Sequence, residues 1–264
     1  MVDSAHATPD VTLQSITINK LTWGDIAAAF SQGISDFRRA PLMGLFFGAF
    51  YALGGIFVVY TLAALEAPYW GIPAAIGFPL LGPFIAVGLY EISRRLEAGT
   101  PLSFKGVLFV VFESRKRELS WMAYVVLFVF WVWIYQVRLW LALFLGTLSF
   151  STLASFISVV TTTGAGLAFL SVGTVVGAGL ATVLFSITVV SIPLLLDKDL
   201  DFVSAMIASV RTVMQNPVVM LGWGACVGAL LIAAMIPLFL GLLVVLPVLG
   251  HTTWHLYRRA ITVG

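Results

Sequence analysis

His251 and His255 come nearest, in type and spacing, to residues that could do chemistry. Four apart, they project from one face of a helix. At that spacing two imidazoles offer two ligands to zinc or copper, whose sites need three or four. Glu91 is the third donor the sequence suggests. Aligning residues 82–95 on 246–259 sets Glu91 on His255, so its carboxylate is expected at the same depth. Two histidines on one face of one helix cannot grip opposite sides of a single haem iron. The plainer reading makes them interfacial histidines hydrogen-bonded to neighbouring helices. No cofactor is therefore predicted, and a metal or haem at His251, His255 and Glu91 is the alternative. Glu91 also stands one turn from Arg94 and Arg95 and is expected to pair with one of them. The chain holds no Walker sequence, no nucleophile elbow and no His-Glu-x-x-His, so it is not expected to be an enzyme.

The elements that must position these residues are membrane helices. Of 264 residues 60% are hydrophobic and 10% are charged, against about 25% charged in a soluble domain. That composition excludes an ordinary soluble enzyme, a nucleic-acid-binding domain and a disordered chain. Residues 1–19 read as a disordered tail and 20–264 as one polytopic domain. The single cysteine, Cys226, lies in an apolar run and reads as a small packing residue.

A helix of about 20 apolar residues crosses the hydrocarbon core, and a charge at mid-bilayer is costly. The uncharged runs are 40–65, 67–90, 119–137, 139–196 and 212–257. The first three hold one span each and the last holds two. Within 139–196, residues 164–196 make one span. Residues 139–163 are either a further span or an extension of the third helix plus an apolar outer hairpin. Six spans place both termini on the side that carries Lys20, Arg38, Arg39, Arg94, Arg95, Lys105, Arg115, Lys116, Arg117, Lys198, Arg211, Arg258 and Arg259. Short loops rich in Lys and Arg stay cytoplasmic, so both termini are expected there. Arg94, Arg95, Arg258 and Arg259 then anchor the cytoplasmic interface, facing anionic lipid headgroups. Arg138 snorkels to the opposite one, among Trp131, Trp133, Tyr135 and Trp140.

The chain repeats itself. Setting Pro41 on Pro217 also sets Leu45 on Leu221, Gly48 on Gly224 and Ala49 on Ala225. The match of 82–95 with 246–259 brings Pro, aromatic and Arg-Arg into register. The middle of the chain follows the same plan loosely. The expected fold is thus all-α: six transmembrane helices as three copies (about 21–99, 101–198 and 199–264) of a cytoplasmic amphipathic helix followed by a two-span hairpin. The amphipathic stripes are Trp23, Ile26, Phe30, Ile34, Phe37; Phe104, Val107, Leu108, Val111, Phe112; and Phe202, Met206, Val210, Val213. Their polar faces carry Asp25, Asp36 and Arg38; Lys105 and Arg115; Ser204 and Arg211. Gly44 and Gly48, Gly173 and Gly177, and Gly224 and Gly228 have the four-residue spacing that lets membrane helices approach closely.

Residues 34–41 (ISDFRRAP), 82–95 (GPFIAVGLYEISRR) and 250–258 (GHTTWHLYR) resemble a family of bacterial inner-membrane proteins, domain of unknown function 2189, over about residues 20–262. The resemblance implies a polytopic protein of a Gram-negative inner membrane with no assigned activity. Some members carry a label relating them to cytochrome c oxidase subunit I. An oxidase core needs intramembrane histidines on separate helices for two haems and a copper. Here His251 and His255 share one helix and His6 lies in the tail. The function expected is a non-catalytic accessory, assembly or scaffold subunit of a larger membrane complex, a respiratory oxidase among the candidates. The alternative is a transporter or channel for a small solute. A membrane protein partner is expected and nucleic acid is not.

Overall fold

Prolines set much of the helix punctuation. The computed structural model describes residues 13–63, 68–113, 118–146 and 153–264, with backbone alone at 14, 61–63, 68–81, 153 and 154. Helix α1 (Trp23–Arg39) stops one residue before α2 (Pro41–Ala63), and the short helix α9 (Phe202–Gln215) stops one residue before α10 (Pro217–Met235). The residue before a proline is pushed out of the α region. Ala40 and Asn216, at those two joints, share a backbone geometry: φ −133°, ψ 53° and φ −130°, ψ 51°. Pro193 has no N–H for the Val189 carbonyl and its ring crowds that group. Accordingly α7 (Gly164–Thr188) breaks and restarts as α8 (Ser191–Asp197). Ser209 closes the break: its Oγ accepts from Val190 N–H at 3.1 Å, and its hydroxyl donates to the Ser186 carbonyl at 2.7 Å.

The remaining helices are α3 (Pro68–Ala98), α4 (Phe104–Glu113), α5 (Glu118–Trp140), α6 (Leu153–Thr162) and α11 (Leu242–Ala260). Four helical stretches among the described residues are long and apolar enough to cross a membrane: Pro41–Tyr60, Glu118–Leu145, Gly164–Asp197 and Pro217–Met235. The second runs on past α5 through a π-helical turn, Leu141–Leu145. Helix α6, at 10 residues, rises only about 15 Å and cannot cross. Residues 141–145 thus extend the helix of α5, and α6 is too short to be a span by itself; residues 147–152 lie outside the described residues. Arg115, Lys116, Arg117 and residues 1–12 also fall outside them.

The helices group into two compact units: residues 1–124 with 186–264, and residues 125–185. In the first, α11 is central and touches α1, α2, α3, α8 and α10. The ends of α3, α8 and α11 contact one another. Around them, α1 packs on α11, α4 on α3 and α9 on α8. Strand β1 (Ile16–Ile18) pairs antiparallel with β2 (Ile261–Val263), Thr17 facing Thr262. Residues 16–18, expected in the tail, are thus fastened to the other end of the chain. Asn216 holds the next turn in place, accepting from Leu21 N–H at 2.8 Å and donating to the Asn19 carbonyl at 3.1 Å.

Small residues decide the closest contacts. A side chain at Gly33 would run into Thr252 and the Val248 carbonyl of α11. One at Gly48 would meet the Leu243 carbonyl oxygen at 2.9 Å, the carbonyl that Pro247 leaves without its intrahelical donor. Gly44 lies against Phe37 and Pro247. In the second unit Gly177 seats the Trp133 ring, whereas Gly173 has nothing within 4 Å; nor does Gly228, on α10. Cys226 is exposed rather than packed, because it lies off the inward line of Met220, Trp223 and Ala234 on α10.

The inward face of α1 differs from the expected stripe. Ile26, Ala29, Gly33 and Asp36 are buried, and Trp23 is half exposed. On α9, Ala205, Ala208, Ser209 and Thr212 are buried. Close packing on a neighbouring helix selects the line of small residues and leaves the bulky stripe beside it.

Two substitutions and one titration test this packing. Gly33→Leu is expected to destabilise the protein by about 1–3 kcal/mol, the usual cost of overpacking. Gly173→Leu is expected to leave the melting temperature in detergent unchanged. At the start of α1, Thr22 and Asp25 form a reciprocal capping box. Hydrogen bonds from the Thr22 hydroxyl, then from its backbone N–H, hold the Asp25 carboxyl below the ordinary aspartate range. A depressed carboxyl contributes stability at pH above its unfolded value and loses it as pH falls through the folded one. Amide protection in the first turn of α1 is expected to fall below about pH 4, and Asp25→Asn to abolish that dependence.

Candidate functional site

The last turns of helix α11 are rich in polar groups, and His251, Thr252, Trp254, His255 and Tyr257 among them are buried. The Gly33 contact brings α1 close enough for Asp36 to face α11. His255 Nε2 donates to Asp36 Oδ2 at 2.7 Å, with the two residues 8% and 5% exposed. One turn earlier, His251 Nδ1 lies 2.8 Å from the Ser93 hydroxyl of α3. His251 is fully buried, and its Nε2 has no hydrogen-bond partner. Trp254 Nε1 donates to Glu97 Oε2 at 2.9 Å, and the Tyr257 hydroxyl donates to Asp197 Oδ2 at 2.8 Å. The end of α11 is thereby tied to α1, α3 and α8 by directional bonds.

Glu91 is also fully buried, and both its oxygens are taken. Arg94 reaches Oε2 through Nε and Nη2, each at 2.7 Å, and Arg95 Nε reaches Oε1 at 2.6 Å. The sequence pointed to one arginine; both bind. Arg258 contacts Glu97 at 3.2 Å and Asp197 at 3.5 Å. Arg259 donates to Gln32 Oε1 at 2.8 Å and lies 4.0 Å from Asp25. The four arginines expected to anchor in headgroups are therefore also braces between side chains. Arg138 is exposed and makes no ion pair or hydrogen bond among the described residues.

His251, His255 and Glu91 do not converge. No three His, Cys, Asp or Glu side chains among the described residues are grouped as a metal requires. Glu91 turns its carboxylate to Arg94 and Arg95, while the histidines face Ser93 and Asp36. What the arrangement offers is a buried imidazole–carboxylate pair that can hold a proton between two helices. Asp36 was expected on a solvated face, and the structure corrects that. Its signal was the spacing of Ala29, Gly33 and Asp36, where small residues mark a close approach. Ser93, Glu97, Trp254, Tyr257 and Asp197 were not expected as partners. Single-residue spacing on one helix carries no information about which neighbour faces it.

The His255–Asp36 pair is testable by a double-mutant cycle. Removing one partner of a buried pair costs about 3–5 kcal/mol because the other charge is stranded. His255→Leu or Asp36→Leu alone is expected to destabilise the protein on that scale. The double substitution is expected to cost markedly less than the sum, as read from melting temperatures in one detergent.

Neither curated proteins nor solved structures give a match to this chain. The family match is shorter than the span over which the resemblance was expected. It takes in Glu91, Ser93, Arg94, Arg95 and Asp197, and leaves Asp36, His251 and His255 outside. Residues 71–197 match the family model described as a predicted integral membrane protein (DUF2189), the family that the sequence was expected to resemble.

Proposed function

We propose that the chain is a non-catalytic protein of a bacterial inner membrane: an accessory, assembly or scaffold subunit whose segment 125–185 seats against membrane-embedded helices of a larger complex. The observation that carries this reading is the helix Glu118–Leu145. None of its most apolar stretch is buried within the chain. Yet it bears Arg138, exposed and without a hydrogen bond or ion pair among the described residues. Lipid tails offer such a group no hydrogen bond, and neighbouring membrane helices do. Gly164, Gly173 and Gly179 of α7 leave open space where another backbone fits.

The topology within this proposal is six spans in three copies, with both termini cytoplasmic. Three observations support it. The short helices pack in a cycle: the first copy's α1 on the third's α11, the second's α4 on the first's α3, the third's α9 on the second's α8. Ala29, Gly33, Asp36 and Ala40 are buried, as are Ala205, Ser209, Thr212 and Asn216 at the same offsets from Pro41 and Pro217. The β1–β2 pair sets residues 16–18 beside 261–263, which calls for an even number of crossings between them. Helices α3 and α11, at 31 and 19 residues, rise about 46 Å and 28 Å, long enough to supply the remaining two spans. The Arg-rich ends then fall on the cytoplasmic side.

A photo-crosslinking residue at Phe128 or Tyr135, activated in native membranes, is expected to give a discrete protein adduct. The same residue at Leu53 of α2 is expected to capture lipid alone. Arg138→Leu is expected to reduce recovery of the adduct about threefold, the scale of one interhelical hydrogen bond. Lipid adducts alone from all three positions would refute the partner-seating reading.

A further inference from the structure

A recess of about 320 Å3 opens between the C-terminal ends of α1 and α11. Its floor is the His255–Asp36 pair. Gln32, Ser35 and Arg39 stand along one wall, on a single face of α1, and Arg258 and Arg259 form the other, with Glu97 at one end. Most of the acceptors here are engaged. Asp36 Oδ2 takes the His255 proton, and the two oxygens of Glu97 take Arg258 and Trp254. Gln32 Oε1 takes Arg259. The donors are not all engaged. Among the described residues, neither the Arg39 guanidinium nor the Ser35 hydroxyl makes a hydrogen bond or ion pair, and the Gln32 amide nitrogen has no acceptor.

The charges agree with the hydrogen bonds. Of the three arginines that line it, Arg258 lies against Glu97 and Asp197 and Arg259 against Asp25, whereas Arg39 has no carboxylate partner among the described residues. Asp25 and Asp197, beside Arg259 and Arg258, stand outside the recess and do not reach Arg39. The C-terminal dipole of α1 is met equally by Arg38, which does not line the recess. A set of donors with no acceptor and one uncancelled cation fits a ligand that only accepts and carries negative charge.

We propose that this recess binds one phosphate-bearing anion, held by Arg39 with the Ser35 hydroxyl and the Gln32 amide. A guanidinium suits phosphate oxygens because its N–H groups form a planar fork. The group can belong to a phospholipid headgroup or to free phosphate. This proposal does not depend on the partner proposed for segment 125–185.

The test uses the full chain in detergent and in vesicles. Inorganic phosphate is titrated against the melting temperature of delipidated protein. Native mass spectrometry counts lipids retained from phosphatidylcholine vesicles with and without phosphatidylglycerol. Arg39→Gln is expected to weaken the binding seen by either readout about tenfold, the scale of a charged hydrogen bond, and Arg38→Gln to leave it unchanged. A thermal shift with phosphate assigns the free anion; retention of one phosphatidylglycerol without that shift assigns the headgroup. If Arg39→Gln does not fold, Ser35→Ala is read in its place, with a smaller loss expected. Equal losses from Arg38→Gln and the recess variant, or no binding in either arm, would overturn the proposal.

Discussion

A carboxylate taken out of water must find a partner or give up its charge. Asp36 is such a group, and the way it is answered organises much of the first compact unit. Its partner, His255, lies on a helix that α1 can reach only because position 33 has no side chain. A bulkier residue there would hold the helices apart and leave a buried acid facing nothing. The backbone approach and the polar pair therefore require each other. Ser93, Glu97 and Asp197 repeat the principle on other sides of α11, each meeting a polar group that would otherwise be buried alone.

This makes α11 a different kind of helix from α5. One has its last two turns enclosed and hydrogen-bonded to three neighbours. The other has none of its most apolar stretch covered within the chain. Directional bonds are thus concentrated where α3, α8 and α11 meet, while segment 125–185 carries an apolar surface of Phe128, Tyr135, Leu143 and Val175. The recess beside Asp36 belongs to the first of these.

The membrane class was legible because hydrocarbon imposes one composition on any chain that spans it. Proline positions were legible as boundaries, since a missing N–H acts locally. The pairing of Glu91 with arginine was legible for the same reason, being a matter of one helical turn. The burial of Asp36 was not read. Large apolar residues dominate a stripe, and the hidden line of Ala29, Gly33 and Asp36 acquires meaning only when α11 lies across it. The strand at Ile16–Ile18 was missed because three residues carry too little alternation to stand out, and their partner lies at the other end of the chain.

Asp36 and His255 are 219 positions apart. During synthesis the acid therefore precedes its imidazole by more than two hundred residues. Until α11 emerges, α1 lacks the side chain that answers Asp36, so the contact between them forms only after all the helices that separate them in sequence have been made. A ribosome stalled before Gly250 would leave that seam open.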